Sequence, residues 1–327
     1  MKWRQKIVRS LAMIGLAGLA VGLSGCRKQS SASDQKIVRV GILQLMDHES
    51  LDAARKGFIS ELAKEGYHQG KNLKIDYLNA QGDQSNLRTM SERLQRDRNA
   101  VNLAIATPAA QALKQADAKT PLLFTAITDP VGAGLVKSLK TPGGNVTGTS
   151  DLVSVAQQVD LLHQLFPKAK RIGLLYNAAE PNSVYQIKIA KKAIKKLGLK
   201  SVSRTVATTN DVEQAMRSLC QEADAVYIPS DNVAASAMAT IGKISKEKKV
   251  PVVPAVEAML KLGGVATKAL DYHKLGQQTA KMAVKIIKDK QNPAKMAVQR
   301  PTDVSLQVNE EFAKVFNISQ QTIAKVK

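Results

Sequence analysis

From Lys36 onward the chain alternates short runs rich in Val, Ile and Leu with stretches of helical periodicity, and it does so twice. No single motif constrains the fold as much. Strands that alternate with helices are joined by crossovers, and the stable solution is a parallel sheet covered by helices. In the first set, KIVRVGILQL reads as a strand, Ser50 to Gly66 as a helix, LKIDYL as a strand and Gln84 to Arg98 as a helix. VNLAIA, a helix from Pro108 and PLLFTAI complete it near Pro130. A loop containing Pro142-Gly143-Gly144-Asn145 precedes the second set: RIGLLY, a helix from Pro181 to Leu197, KSVSRTVA, a helix from Asp211, DAVYIPS, a helix from Asn232, VPVVPA and GGVATKA.

The economical fold class is α/β, with two Rossmann-like lobes of parallel sheet, a hinge and an interlobe cleft. The expected boundaries are 36–149 for the first lobe and 150–270 for the second. Asp271 to Lys288 reads as a further helix, DVSLQVN as a strand and Glu310 to Phe316 as a last helix. We expect about 271–300 to complete the first lobe and 303–327 the second, so that the chain crosses between them more than once.

The N-terminus carries four basic residues, Lys2, Arg4, Lys6 and Arg9, ahead of a largely apolar run from Leu11 to Leu23. That run is too short to span a hydrocarbon core of roughly 30 Å as a helix, so residues 1–25 are expected to be a cleaved export signal. Leu23-Ser24-Gly25-Cys26 resembles the lipobox of bacterial lipoproteins, in which the cysteine thiol receives the lipid. Cys26 is then the anchor and residues 26–35, rich in Ser, Gln and Lys, a flexible tether. The expected location is the extracytoplasmic face of the cell membrane, held by lipid.

Cys220, the other cysteine, falls in a helical pattern, so no internal disulfide is expected. A folded part of about 290 residues does not need one, because chains of that size bury most of their surface. The formal net charge of +21 raises the question of nucleic acid. Four of those charges lie in the signal, and the rest are spread along the chain without aromatic stacking platforms. The densest cluster, Lys188 to Lys196, has lysines on one helical face and apolar residues on the other, the pattern of a solvated helix. No nucleic-acid partner is expected.

In open α/β sheets ligands bind beyond the carboxyl ends of the strands. Those positions hold Gln44 and Asp47-His48-Glu49, Thr107, and Thr128-Asp129 in the first half. In the second half they hold Tyr176-Asn177 with Glu180, Asn182 and Ser183, then Ser230-Asp231-Asn232, then Glu257. Thr107-Pro108 can start a helix whose free N–H groups hold a carboxylate, or Thr107 can be only a cap. Ser230-Asp231-Asn232 reads equally as a turn or as a carboxylate facing an ammonium.

Catalytic signatures are absent. There is no HExxH, no GxSxG elbow, no P-loop and no GxGxxG after the first strand. His68, His163 and His273 are isolated, and the residues flanking His48 do not make a metal site. No cofactor and no metal are expected, and nothing demands an enzyme.

Eight stretches are similar, in order, to the substrate-binding lipoproteins of ABC transporters known as tryptophan/tyrosine-type binding proteins. They are HESLDAARKGF, GYHQGKNLKIDYLNAQGD, ATPAAQAL, TDPVGAGLV, GGNVTGTSD, GLLYNAAEPNS, YIPSDN and DYHKLGQQT, which span nearly the whole chain after the signal. Ser50 stands where that family commonly has proline. The resemblance implies a type I periplasmic-binding-protein (Venus-flytrap) fold that closes on its ligand by a three-stranded hinge. It implies that Thr107, Ala126 and Thr128 receive a ligand carboxylate, that Asp231 or Glu257 meets an ammonium, and that Tyr176, Asn177, Glu180, Asn182 and Ser183 line the far wall; Gln44 and Asn232 complete the expected site. The implied role is capture of a small solute, an aromatic or other apolar L-amino acid, for an ABC permease and its ATPase, by a protein that need only be a monomer. A nucleoside or small peptide in the same role, and an extracellular enzyme using the cleft, stay open as alternatives.

Overall fold

The computed structural model describes residues 37–326. The signal, Cys26 and the tether lie outside the described residues. The first sheet is wholly parallel, in the order β2-β1-β3-β4-β5. Its elements are β1 (Val38–Gln44), α1 (Glu49–Lys64), β2 (Leu73–Asn79), α2 (Gln84–Arg96), β3 (Val101–Ile105), α3 (Thr107–Ala116), β4 (Leu122–Ile127) and β5 (Val146–Ser150). With right-handed crossovers, α1 must cover one face, and α2, which runs back across β1, and α3, which continues in the same direction from β3 to β4, the other. The contacts agree: α2 lies against α3. β3 and β4 are buried at every position and carry the apolar runs that a sheet covered on both faces requires.

The second set is α4 (Val155–Leu165), β6 (Arg171–Asn177), α5 (Pro181–Lys196), β7 (Lys200–Val206), α6 (Val212–Glu222), β8 (Ala225–Ile228), α7 (Asn232–Ser236), α8 (Met238–Lys248), β9 (Val252–Pro254) and α9 (Glu257–Gly263). Its parallel sheet has the order β7-β6-β8-β9, the same winding about the first strand. Then come β10 (Ala266–Leu270), α10 (Tyr272–Asp289), β11 (Val304–Val308), α11 (Glu310–Val315) and α12 (Gln320–Val326), with β11 antiparallel to β10.

Four elements go beyond the sequence reading: β5, α4, α9, which falls between VPVVPA and GGVATKA where no helix was expected, and α12, which follows the helix expected to be the last. β5 falls where a loop was expected, because VTGTS lacks the apolar run of its neighbours; it is nonetheless fully buried. Gly148 makes its pairing possible, since a Cβ there would meet the Phe124 carbonyl oxygen at 2.1 Å. The sequence reading also omitted α4, which follows directly and is capped by the Ser154 side chain on the amide of Gln157.

α10 packs along α1 and against β4 and β5, while α12 lies on α4. The chain therefore passes between the lobes after β5, between β10 and α10, and after Gln299, whose backbone bridges Thr149 before the chain reaches β11. Cys220 is a free cysteine. None of the described helices is long and apolar enough to cross a membrane.

Candidate functional site

The carboxyl ends of β1, β4 and β5 face those of β6, β8 and β9 across the cleft, and the lobes meet there. His48 Nε2 lies 3.1 Å from Asn232 Oδ1, Gln186 donates to Thr128 Oγ1 at 3.2 Å, and Ser236 Oγ donates to the Asp47 carbonyl at 3.3 Å. At the rim Lys261 pairs with Glu49 at 2.8 Å. These contacts close the cleft over a cavity whose walls come from both lobes.

The first lobe supplies His48, Ser50 and Leu51 at the start of α1, with Ala126 near the end of β4 and Thr128 just after it. Ala126 has φ +58° at the point where the β4–β5 register shifts, a conformation costly for a side chain with a Cβ and common at binding sites. Asp151 and Tyr272 stand where the chain crosses between the lobes. The Tyr272 hydroxyl donates to Asp151 Oδ2 at 2.7 Å, and Thr128 Oγ1 donates to its other oxygen at 3.1 Å. Burial holds the Asp151 carboxyl above its ordinary value.

The second lobe supplies Asn182, Ser230, Asp231, Asn232, Ala235 and Val256. Asp231 caps α7, accepting from Ala234 N at 2.9 Å, and also accepts from Asn177 N at 2.6 Å and Ser183 Oγ at 2.7 Å. Both of its oxygens are thus held by its own lobe. Glu180, one layer behind, accepts from Asn182 Nδ2, Asn232 N and Asn232 Nδ2. Burial, and then the neighbouring Asp231 charge, push Glu180 up to about 8; burial raises Asp231 as well. Among the described residues no Lys or Arg lines the cavity. Three buried carboxyl groups and no cation favour an ammonium in the site, and an anionic group of a ligand there has to be met by uncharged donors.

Of the expected residues, Ala126, Thr128, Asn182, Asp231 and Asn232 reach the cavity wall, and Glu180 and Ser183 brace them from behind. The others lie elsewhere. Gln44 is consumed by Asp52, Arg55 and the Met46 carbonyl. Thr107 does not cap α3: the cap position is Ala106, at φ +81°, and Thr107 opens on a separate surface hollow beside Asp129 and Lys188. Asn177 accepts from Ala179 N, Glu257 turns to Lys261, and Tyr176 is not on the wall. Among the polar wall residues, Ser50, Asp151, Gln186 and Tyr272 were not anticipated, and His48 and Ser230 were named at strand ends but given no place in the expected site. His48 and Ser50 carried a legible signal, since they begin the helix after the first strand. Asp151 and Tyr272 carried none, because only the interlobe crossings bring them together.

Residues 39–325 match the family described as ABC transporter substrate binding protein. A tyrosine-binding protein of Clostridioides difficile (strain R20291) is 36% identical over 99% of this chain and 96% of its own. A domain of Streptococcus pneumonia solved in complex with L-Trp is 38% identical, covers 88% of this chain and 98% of its own, and superposes with a TM-score of 0.85. A substrate-binding protein with adhesive properties from Clostridium difficile, in a ligand-free, open structure, is 40% identical over 87% of this chain and 96% of its own, with a TM-score of 0.67. The geometry is therefore nearer the ligand-bound relative than the open one, in keeping with the contacts across the cleft. This chain belongs to the ABC transporter substrate binding proteins, two-lobed α/β receptors of the type I periplasmic-binding-protein fold.

Proposed function

We propose that the protein captures an L-amino acid with an aromatic side chain between its lobes, outside the cytoplasm, and delivers it unaltered to the permease and ATPase of an importer. The observation that carries this reading is the cavity itself: buried acceptors from both lobes, no Lys or Arg on its wall among the described residues, and apolar surface from Leu51, Ala126, Ala235 and Val256. Such a cavity suits a ligand with an ammonium at one end and apolar surface at the other. The tyrosine and L-Trp named for two relatives support the aromatic class. The export signal of residues 1–25, the lipobox at Cys26 and the 26–35 tether support a lipid-anchored receptor at the membrane. Hinge closure requires only a monomer.

Thermal unfolding of the compact unit from Lys36 onward tests the ligand. The protein is stripped of ligand by unfolding and refolding, then scanned against L-amino acids, nucleosides and short peptides. A ligand at about a hundred times its Kd adds about 2.7 kcal/mol to the folded state, which raises Tm by a few degrees. We expect a rise with Trp, Tyr or Phe. A rise with only a nucleoside or peptide would overturn the ligand and keep the receptor, and a mass change in the recovered ligand would make the protein an enzyme.

A further inference from the structure

The amino-acid reading leaves open which residues recognise the two charges of the ligand, and the start of α1 answers this. α1 is 16 residues long, its first turn opens on the cavity, and the side chain at its cap position, His48, makes no capping bond. The first amides of a helix have no partner within it and carry a partial positive charge. Ser50, in the first turn, is 3% exposed, and its Oγ finds no hydrogen-bond partner although it lines the cavity. A buried hydroxyl without a partner is costly. Thr107 Oγ1 and Ser91 Oγ are unpartnered too, on other hollows; what distinguishes Ser50 is that it shares one interlobe cavity wall with two unpartnered acceptors.

Two further wall atoms are unpartnered, and both are acceptors. Asn182 spends its Nδ2 on Glu180, Ser183 and the Ser230 carbonyl, which leaves Oδ1 free. Asn232 spends its Nδ2 on Glu180, so its Oδ1 must accept from His48 Nε2–H. In the neutral imidazole this leaves Nδ1 with a lone pair, buried and unpartnered. The wall thus offers donors at the α1 N-terminus and acceptors two residues away and across the cleft. That is the complement of an α-ammonium and α-carboxylate on one carbon.

We propose that the ligand carboxylate sits on the N-terminus of α1, held by Ser50 Oγ and the first-turn amides, and that the ligand ammonium donates to His48 Nδ1 and Asn182 Oδ1. The carboxylate therefore does not go to α3 and Thr107. His48 does two things with one ring: Nδ1 recognises the ligand and Nε2–H ties the first lobe to Asn232 of the second, so occupancy and closure share a residue.

This assignment rests on the amino-acid reading, and the test separates the two. Titration calorimetry on the purified protein compares L-tryptophan with tryptamine, which lacks the carboxylate, and indole-3-propionate, which lacks the ammonium. If the parent binds no L-amino acid, both the reading and the assignment fall. If it binds L-tryptophan, Ser50→Ala should weaken that binding about ten- to a hundredfold, as for a hydrogen bond to a charged group, and leave tryptamine unchanged. His48→Phe, which keeps a ring but removes both nitrogens, should narrow the preference for L-tryptophan over indole-3-propionate. Thr107→Ala should bind as the parent does. Loss of binding in Thr107→Ala with Ser50→Ala unaffected would put the carboxylate on α3 and overturn the assignment. So would a Ser50→Ala variant that weakens L-tryptophan and tryptamine equally, because that is the signature of a merely structural residue.

Discussion

At the scale of single residues, the second lobe stores a carboxyl pair without a cation beside it. Glu180, pushed up to about 8 by burial and by Asp231, binds its proton more tightly in the folded state than in the unfolded one. Its contribution to stability is therefore full below about 4.5 and is lost as pH rises through about 8. Thermal unfolding of the ligand-free protein should show Tm falling across that window, and Glu180→Gln, which keeps the carbonyl acceptor and cannot ionise, should flatten the slope. Asp231 plays a different part. With Asn177, Ser183 and Ala234 all donating to it, Asp231→Ala would leave three donors unpaired in a buried layer and cost several kcal/mol. The expected result is a lower Tm together with lost binding, whereas Ser50→Ala should weaken L-tryptophan binding without lowering Tm.

At the scale of elements, the position of the α1 N-terminus depends on how closely α1 and α10 approach. Both glycines of that crossing are constrained by backbone and not by conformation: a Cβ on Gly57 would lie 2.0 Å from the His273 carbonyl oxygen, and one on Gly276 1.9 Å from that of Ala54. Gly276→Ala must push the helices apart. Such overpacking costs about 1–3 kcal/mol, which denaturant unfolding should register as a lower midpoint. Because α1 carries His48 and Ser50, the same variant should weaken ligand binding, although residue 276 touches no ligand.

At the scale of the molecule, the proposed function is an equilibrium between open and closed lobes. The closed state is held by a few polar contacts across the cleft and by the Lys261–Glu49 pair at the rim, each half exposed. An exposed ion pair contributes at most about 1 kcal/mol, so Lys261→Ala should weaken ligand binding no more than about fivefold. Small-angle scattering should show the radius of gyration fall when L-tryptophan is added, and His48→Phe should blunt that fall. The proposed lipid anchor is tested separately: Cys26→Ser should lose labelled palmitate and release the protein from cells without altering its affinity for ligand.

The alternation of apolar runs and helical patterns already specified two α/β lobes, because a strand buried on both faces must be continuously apolar and a covering helix must be amphipathic. Residues that cap or follow those strands were legible for the same reason, and Thr128, Asn182, Asp231 and Asn232 line the cavity, whereas Ala126, inside β4, was named only through the family resemblance. Three features were decided only in the tertiary structure. β5 is a strand because Gly148 lets it approach Phe124, which no local pattern of VTGTS reveals. Asp151 and Tyr272 become partners 121 residues apart because the chain crosses between the lobes more than once. Gln44, Thr107 and Glu257 stand at the ends of strands as a ligand site requires, but Gln44 is taken up by Asp52 and Arg55, Glu257 turns to Lys261, and Thr107 opens on a separate hollow. Local sequence sets which side chains emerge at the rim of each sheet; their orientation, and which ones stay unpartnered and available to a ligand, follows from the packing of one lobe against the other.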